Sequence, residues 1–182
     1  MKPLIVANWK MNPKTLVEAK KLFGAVKDTG AIICPPFIYI FALKANGAQN
    51  CGANTGEISA AMLKDLGVEY VILGHSERRR YLKETDEMIS KKLKAAIAVG
   101  LKPILCVDKI SQTEGVKKKT ILAFEPVSAI GTGQAYPVPR AQKMRQLLAS
   151  FPVVLYGGSV NSQNVGDYIK AGFQGLLVSS AS

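Results

Sequence analysis

Acidic side chains are scarce in this chain: 13 Asp and Glu stand against 24 Lys and Arg, a formal net charge of +11. A surface this positive attracts anions, and phosphorylated metabolites and nucleic acid are the two classes to weigh. Aromatic residues are only 7% of the chain. They do not interleave with the lysines and no recognised nucleic-acid module is present, so no nucleic-acid partner is expected. Histidine occurs once, at His75, and cysteine at Cys34, Cys51 and Cys106. One imidazole and three separated thiols give no metal-ligand spacing, so no metal is expected. The odd cysteine count, with each thiol in or at the end of an apolar run, reads as buried free thiols rather than a disulfide framework. Long hydrophobic runs are missing too. No stretch approaches the ~20 apolar residues of a spanning helix, and the opening MKPLIVANWK is too short in its apolar part for a signal peptide. A cytoplasmic protein with no membrane partner is the expectation.

What is present is a core. With 48% hydrophobic residues in 182, the chain can bury one interior, and residues 1–182 are expected to form a single domain. Short apolar runs alternate with amphipathic ones. Strands are expected at 4–7, 31–34, 48–51, 69–73, 103–107, 120–124, 153–156 and 175–178. Helices are expected at 15–26 (started by Asn12 or Pro13), 38–44, 59–66, 85–99 (capped by Thr85), 140–149 and 164–171. This is an α/β chain of eight strands, and the pattern alone leaves open whether the sheet closes into a barrel or stays doubly wound. The connection 108–119 is too short and polar for a packed crossover helix. No helix follows the eighth strand. Uncovered apolar barrel surface is therefore expected, with a partner subunit as its cover. The lysine groups at 20–21, 91–94 and 117–119 read as solvated helix faces or linkers.

Function concentrates in 123–133, AFEPVSAIGTG. An apolar strand delivers Glu125 to its end, where an uncompensated carboxylate would be costly, so Glu125 is a candidate base. Pro126 stiffens one side of the following segment while Gly131 and Gly133 free the other, the build of a hinged lid. Asn8 and Lys10, two apart at the end of the first strand, share a face.

The stretch 123–133 resembles the catalytic glutamate and flexible loop of triosephosphate isomerases. Four others match that family in order: ANWKMN at 7–12, GHSERR at 74–79, YGGSV at 156–160 and, more weakly, LVSSAS at 177–182. The resemblance implies a (β/α)8 TIM barrel, pared down, with the helix between strands five and six largely missing and no eighth helix. It also implies a cofactor-free isomerase of glycolysis and gluconeogenesis that interconverts dihydroxyacetone phosphate and D-glyceraldehyde 3-phosphate. In that reading Glu125 is the base and His75 is a neutral imidazole that polarises the carbonyl, an arrangement for which this family is the standing example. Lys10 and Asn8 stabilise the enediolate and bind substrate. Gly131, Ser159, Ser179 and Ser180 hold the phosphate with backbone amides. Glu77 holds Lys10, and Arg78 is a structural ion-pair partner. The loop 54–57 (NTGE), through Thr55, makes a homodimer contact.

Three departures from the family pattern stand out. Ser128 takes the place of a lid tryptophan. Asp108 and Lys109 replace a Gly-Glu pair, and Ser179 and Ser180 replace a Gly-Gly pair. The Ser182 carboxylate, close to the expected dianion, is expected to weaken phosphate binding by on the order of 1–2 kcal/mol. These departures keep a second reading open, a weakly active or inactive relative retained for binding or scaffolding.

Overall fold

The computed structural model describes residues 2–130 and 132–179. Eight parallel strands form one sheet: β1 Leu4–Asn8, β2 Ile32–Cys34, β3 Gly47–Ala48, β4 Tyr70–Leu73, β5 Lys102–Val107, β6 Ile121–Phe124, β7 Val154–Gly157 and β8 Gly175–Ser179. Their order is β2-β1-β8-β7-β6-β5-β4-β3, which brings β2 and β3 to the two edges. Side-chain amides close that seam in place of a ladder. Asn46 Oδ1 accepts the Ile33 N–H at 3.0 Å, and Gln49 Nε2 donates to Cys34 O at 3.0 Å and to Lys10 O at 2.7 Å. The result is a nearly closed barrel. The strand expected at 48–51 is the two residues Gly47–Ala48, and beyond them the Gln49 side chain, not the backbone, takes the Cys34 carbonyl.

Strand alternation sorts the core into two layers. Val6, Ile72, Ile104, Cys106, Ala123, Leu155 and Leu177 fill the barrel interior. Their neighbours Val71, Leu73, Leu105, Val107, Leu122, Phe124 and Tyr156 face outward under the helices. Seven α-helices are present among the described residues: α1 Leu16–Val26, α2 Phe37–Leu43, α3 Ala60–Asp65, α4 Ser76–Tyr81, α5 Asp86–Ala98, α6 Val138–Leu147 and α7 Val165–Lys170.

Thr15, not Asn12 or Pro13, starts α1. Its hydroxyl accepts the Glu18 N–H while Glu18 returns a bond to the Thr15 N–H, both at 3.2 Å, a reciprocal cap. Helix α4 has no counterpart among the expected elements. The run Glu77-Arg78-Arg79-Arg80 is polar all round and carries no apolar stripe, but its residues favour helix and His75 caps it.

Between β5 and β6 only a 3₁₀ turn, Ile110–Thr113, takes the place of a helix. The bare apolar surface expected there is absent. Leu105, Val107, Leu122 and Phe124 are each no more than 2% exposed, because Val116 from the connection and the residues Leu148 and Phe151 pack onto the same outer layer. A partner subunit is not needed to cover that side.

Candidate active site

The carboxyl ends of the strands bring together residues from distant segments. Inward alternation along β6 (Ile121, Ala123) carries Glu125 to the barrel axis, and along β1 (Leu4, Val6) it does the same for Asn8 and then Lys10. Pairing of Asn8 with Ser179 puts β8's last residue beside them. His75 breaks this rule. Counted from Ile72 it belongs to the outward set, but Gly74 sits at φ +68°, a left-handed turn that a side chain would strain. The turn resets the alternation and swings the imidazole inward. One pocket is lined by Asn8, Lys10, His75, Glu125, Ser159 and Ser179, together with Ile130 and Gly133 from the segment after Glu125.

Glu125 is 5% exposed and packs over Gly157, where a Cβ would come within 3.0 Å of Glu125 Cγ. Its Oε1 lies 3.3 Å from His75 Nε2. Its Oε2 is buried with no hydrogen-bond partner, a costly state for a carboxylate oxygen. Burial pushes the Glu125 carboxyl up. The His75 charge, hydrogen bonds from His75 and the Cys106 thiol, and the Lys10 ammonium outweigh burial and hold the carboxyl below its ordinary 4.5. It is a carboxylate at neutral pH.

His75 caps α4, and its Nδ1 accepts the Glu77 N–H at 3.2 Å. Burial lowers the imidazole pKa, but the charge and hydrogen bond of Glu125, and then Glu77, carry it above the usual 6.5. Nδ1 faces an amide donor, so the proton of the neutral ring sits on Nε2, aimed at Glu125.

Lys10 adopts φ +51°, and its Nζ donates to Glu77 Oε1 at 2.5 Å. Asn8 Oδ1 accepts the Lys10 N–H at 3.1 Å, leaving the Asn8 NH2 group as the donor for a ligand. Ser159, at φ +49°, gives its hydroxyl to Ala129 O at 2.6 Å, tying the YGGSV turn to the 3₁₀ turn Val127–Ala129. Gly131, Ser180 and Ser182 lie outside the described residues.

Arg78 faces away from the pocket. Its Nε donates to Glu84 Oε1 at 2.6 Å and a terminal nitrogen to Glu57 Oε1 at 2.9 Å. Lys92 joins the same two carboxylates at 2.6 Å each and Asn50 Oδ1 at 3.2 Å. At 8% exposure Lys92 is not the solvated lysine its sequence neighbourhood suggests. Three acceptors from separate segments make its burial tolerable, and no local signal reveals them. The cluster turns Glu57 inward, while Asn54, Thr55 and Gly56 stay exposed at the loop tip.

Burial raises the Glu57 pKa, and hydrogen bonds from Lys92 and Asn50 with the charges of Lys92 and Arg78 outweigh it, so the net shift is down from 4.5. A carboxyl depressed on folding contributes stability above its unfolded pKa and loses it as pH falls through the folded value. Thermal stability is therefore expected to fall below about pH 4.5, and Glu57→Gln to show a shallower acid decline in Tm over the same range. Parallel declines would remove Glu57 from the acid response.

Sequence reading also missed Cys106, whose thiol, raised by burial, stays protonated and favours the ionised form of Glu125. Its inward position on β5 was the available signal. Arg79 was missed as well. It bridges two strand ends, donating to Gly74 O at 2.7 Å and to Cys106 O at 3.4 Å. No candidate metal cluster exists among the described residues, and no helix there is long and apolar enough to cross a membrane.

The family model for triosephosphate isomerase matches residues 3–182. The chain is 39% identical to the triosephosphate isomerase of Carboxydothermus hydrogenoformans, covering 100% of this chain and 94% of that protein. Identity to the Endomicrobium trichonymphae triosephosphate isomerase is 38%, with the same coverages. For that of Serratia proteamaculans it is 34%, covering 99% of this chain and 91% of the relative. The first alignment runs over 236 positions against the 182 residues here, so the chain spans nearly the whole relative while skipping positions inside it. The thin β5–β6 connection is where such a shortening is visible in the fold. The chain belongs to the triosephosphate isomerase family.

Proposed function

We propose that this chain, a single barrel domain over residues 1–182, isomerises dihydroxyacetone phosphate and D-glyceraldehyde 3-phosphate by proton transfer through an enediolate. The observation that carries this reading is the pocket that Glu125, buried and with its Oε2 unpartnered, shares with one imidazole and one ammonium. Glu125 takes the proton from one carbon and returns it to the other, which a single carboxylate reaches without moving. His75 Nε2–H turns from Glu125 to the substrate carbonyl oxygen, Lys10 faces the developing negative charge, and Asn8 adds a neutral donor. Ser159 and Ser179, with Gly131 and Ser180, supply the phosphate site on the side of the last two strands. Glu77 aims Lys10, and Arg78 steadies α4. Proton transfer between adjacent carbons is redox-neutral, so no cofactor is invoked.

The enzyme acts in glycolysis and gluconeogenesis in the cytoplasm, as a homodimer through the 54–57 loop. Support for the dimer comes from the exposed loop tip and from the exposed Met11, Met62 and Tyr81. Met62 lies on α3, which follows that loop, and Tyr81 on α4, which Arg78 ties to Glu57; exposed apolar side chains of this size are candidates for burial against a second copy. The experiment is a coupled assay of triose phosphate turnover on protein of known sedimentation coefficient. Turnover at the two-copy mass is the expected result. Absence of turnover would sink the isomerase reading, and full turnover at the one-copy mass would sink the dimer alone.

A further inference from the structure

The segment after Glu125 returns to the barrel at Tyr136, and both backbone groups of that residue are held by phenols. The Tyr136 N–H donates to Tyr156 Oη at 3.1 Å, and Tyr156 passes its own proton to Gly158 O at 3.1 Å. The Tyr136 carbonyl accepts the hydroxyl of Tyr168 at 2.5 Å. Tyr156 and Tyr168 stack with centroids 3.6 Å apart and planes 6° from parallel, and both rings are buried. Tyr136 also sets its ring edge-on to Phe124, 5.9 Å away, the residue before Glu125. Tyr168 lies on α7, outside every motif that touches the pocket.

We infer that Tyr168 is a positioning residue for the 127–136 segment. Its hydroxyl pins the carboxyl-terminal hinge at Tyr136, and so biases the segment toward the arrangement in which Ala129 O meets Ser159 Oγ and Ile130 and Gly133 wall the pocket. Tyr168 touches neither substrate nor Glu125; it acts through Tyr136. Two features make the pin specific. Pro137 follows Tyr136 and opens α6, so the Tyr136 carbonyl lies before the helix and outside its ladder. The near-parallel stack fixes where the Tyr168 hydroxyl points, so its bond is prepaid in rotamer entropy. The consequence for catalysis rests on the isomerase reading; the hinge itself does not.

Tyr168→Phe removes the hydroxyl and keeps the stack. One net hydrogen bond corresponds to about a fivefold change in the population it favours. Two readouts follow. Thermolysin cleavage before Val127 or Ile130, mapped by mass spectrometry, should quicken about fivefold, since cutting tracks the minor population of the opened segment. kcat/KM for D-glyceraldehyde 3-phosphate, which follows the majority held arrangement, should fall by less than about twofold. Cuts confined to 127–136 support the inference, whatever small fall in Tm the lost bond brings. An unchanged cleavage rate, or faster cuts spread through the barrel, overturns it, because a merely structural tyrosine gives one or the other. Should the parent protein turn over no triose phosphate while the variant still opens faster at 127–136, the isomerase reading fails and the hinge stands.

Discussion

Glu125→Gln is expected to lower kcat for triose phosphate isomerisation by about three orders of magnitude, the range that a positioned acid or base supplies. The substitution is close to isosteric, so the packing over Gly157 survives. An amide oxygen can still accept from His75 Nε2. What disappears is basicity, and with it the only buried carboxylate among the described residues that lines the pocket. The environment explains why basicity is available. Burial alone would protonate the group, whereas His75, Cys106 and Lys10 hold it ionised while leaving Oε2 without a partner. A carboxylate oxygen desolvated in that way gains by accepting a proton from carbon, and the adjacent imidazole proton is ready for the oxygen that becomes negative. The fold favours the ionised form on balance, so removing the charge should leave Tm unchanged or slightly lower. A coupled assay and a thermal melt on the same preparation decide the matter. A loss of tenfold or less, about 1.4 kcal/mol of barrier, would take the role of base away from Glu125.

The parts of the site that could be read from sequence are those governed by strand alternation. Glu125, Asn8 and Lys10 lie at inward positions of runs whose period is visible, and the structure puts all three at one mouth. His75 was legible as a motif but not by period, because its inward aim depends on a left-handed Gly74. Helix α4 stayed hidden because its three arginines leave no apolar face to detect. The β2–β3 seam was equally silent, since amides of Asn46 and Gln49 do work that sequence patterns assign to strands. Tyr168 shows the same limit at longer range: a helical tyrosine reads as core, and its use depends on a carbonyl 32 residues away. Pairings between distant polar groups leave no periodic trace, whereas burial of apolar ones does.

Lys92 is the sharpest instance, and Lys92→Met should be among the most destabilising single changes in the chain. In the native fold the ammonium satisfies Glu57, Glu84 and Asn50 together. Methionine fills similar volume but leaves Glu84, 2% exposed at its side chain, to Arg78 alone, and Glu84 Oε2 already lacks a partner. Breaking a buried pair by removing one member costs about 3–5 kcal/mol, which for a chain of this size lowers Tm by on the order of 10 °C. The pair itself need not be net stabilising; the cost comes from the charge left behind. That distinction gives the test. Lys92→Met with Glu84→Gln removes the stranded charge, so the double variant should recover at least about 1 kcal/mol over Lys92→Met alone, the coupling expected of groups in direct contact. Equal melting points for the single and double variants would mean that Glu84 is not held by Lys92. The same cluster joins the 54–57 loop to α4 through Glu57 and Arg78, and α4 begins at His75. Loosening it should therefore also lower kcat, through a less firmly aimed imidazole, at temperatures well below the melt.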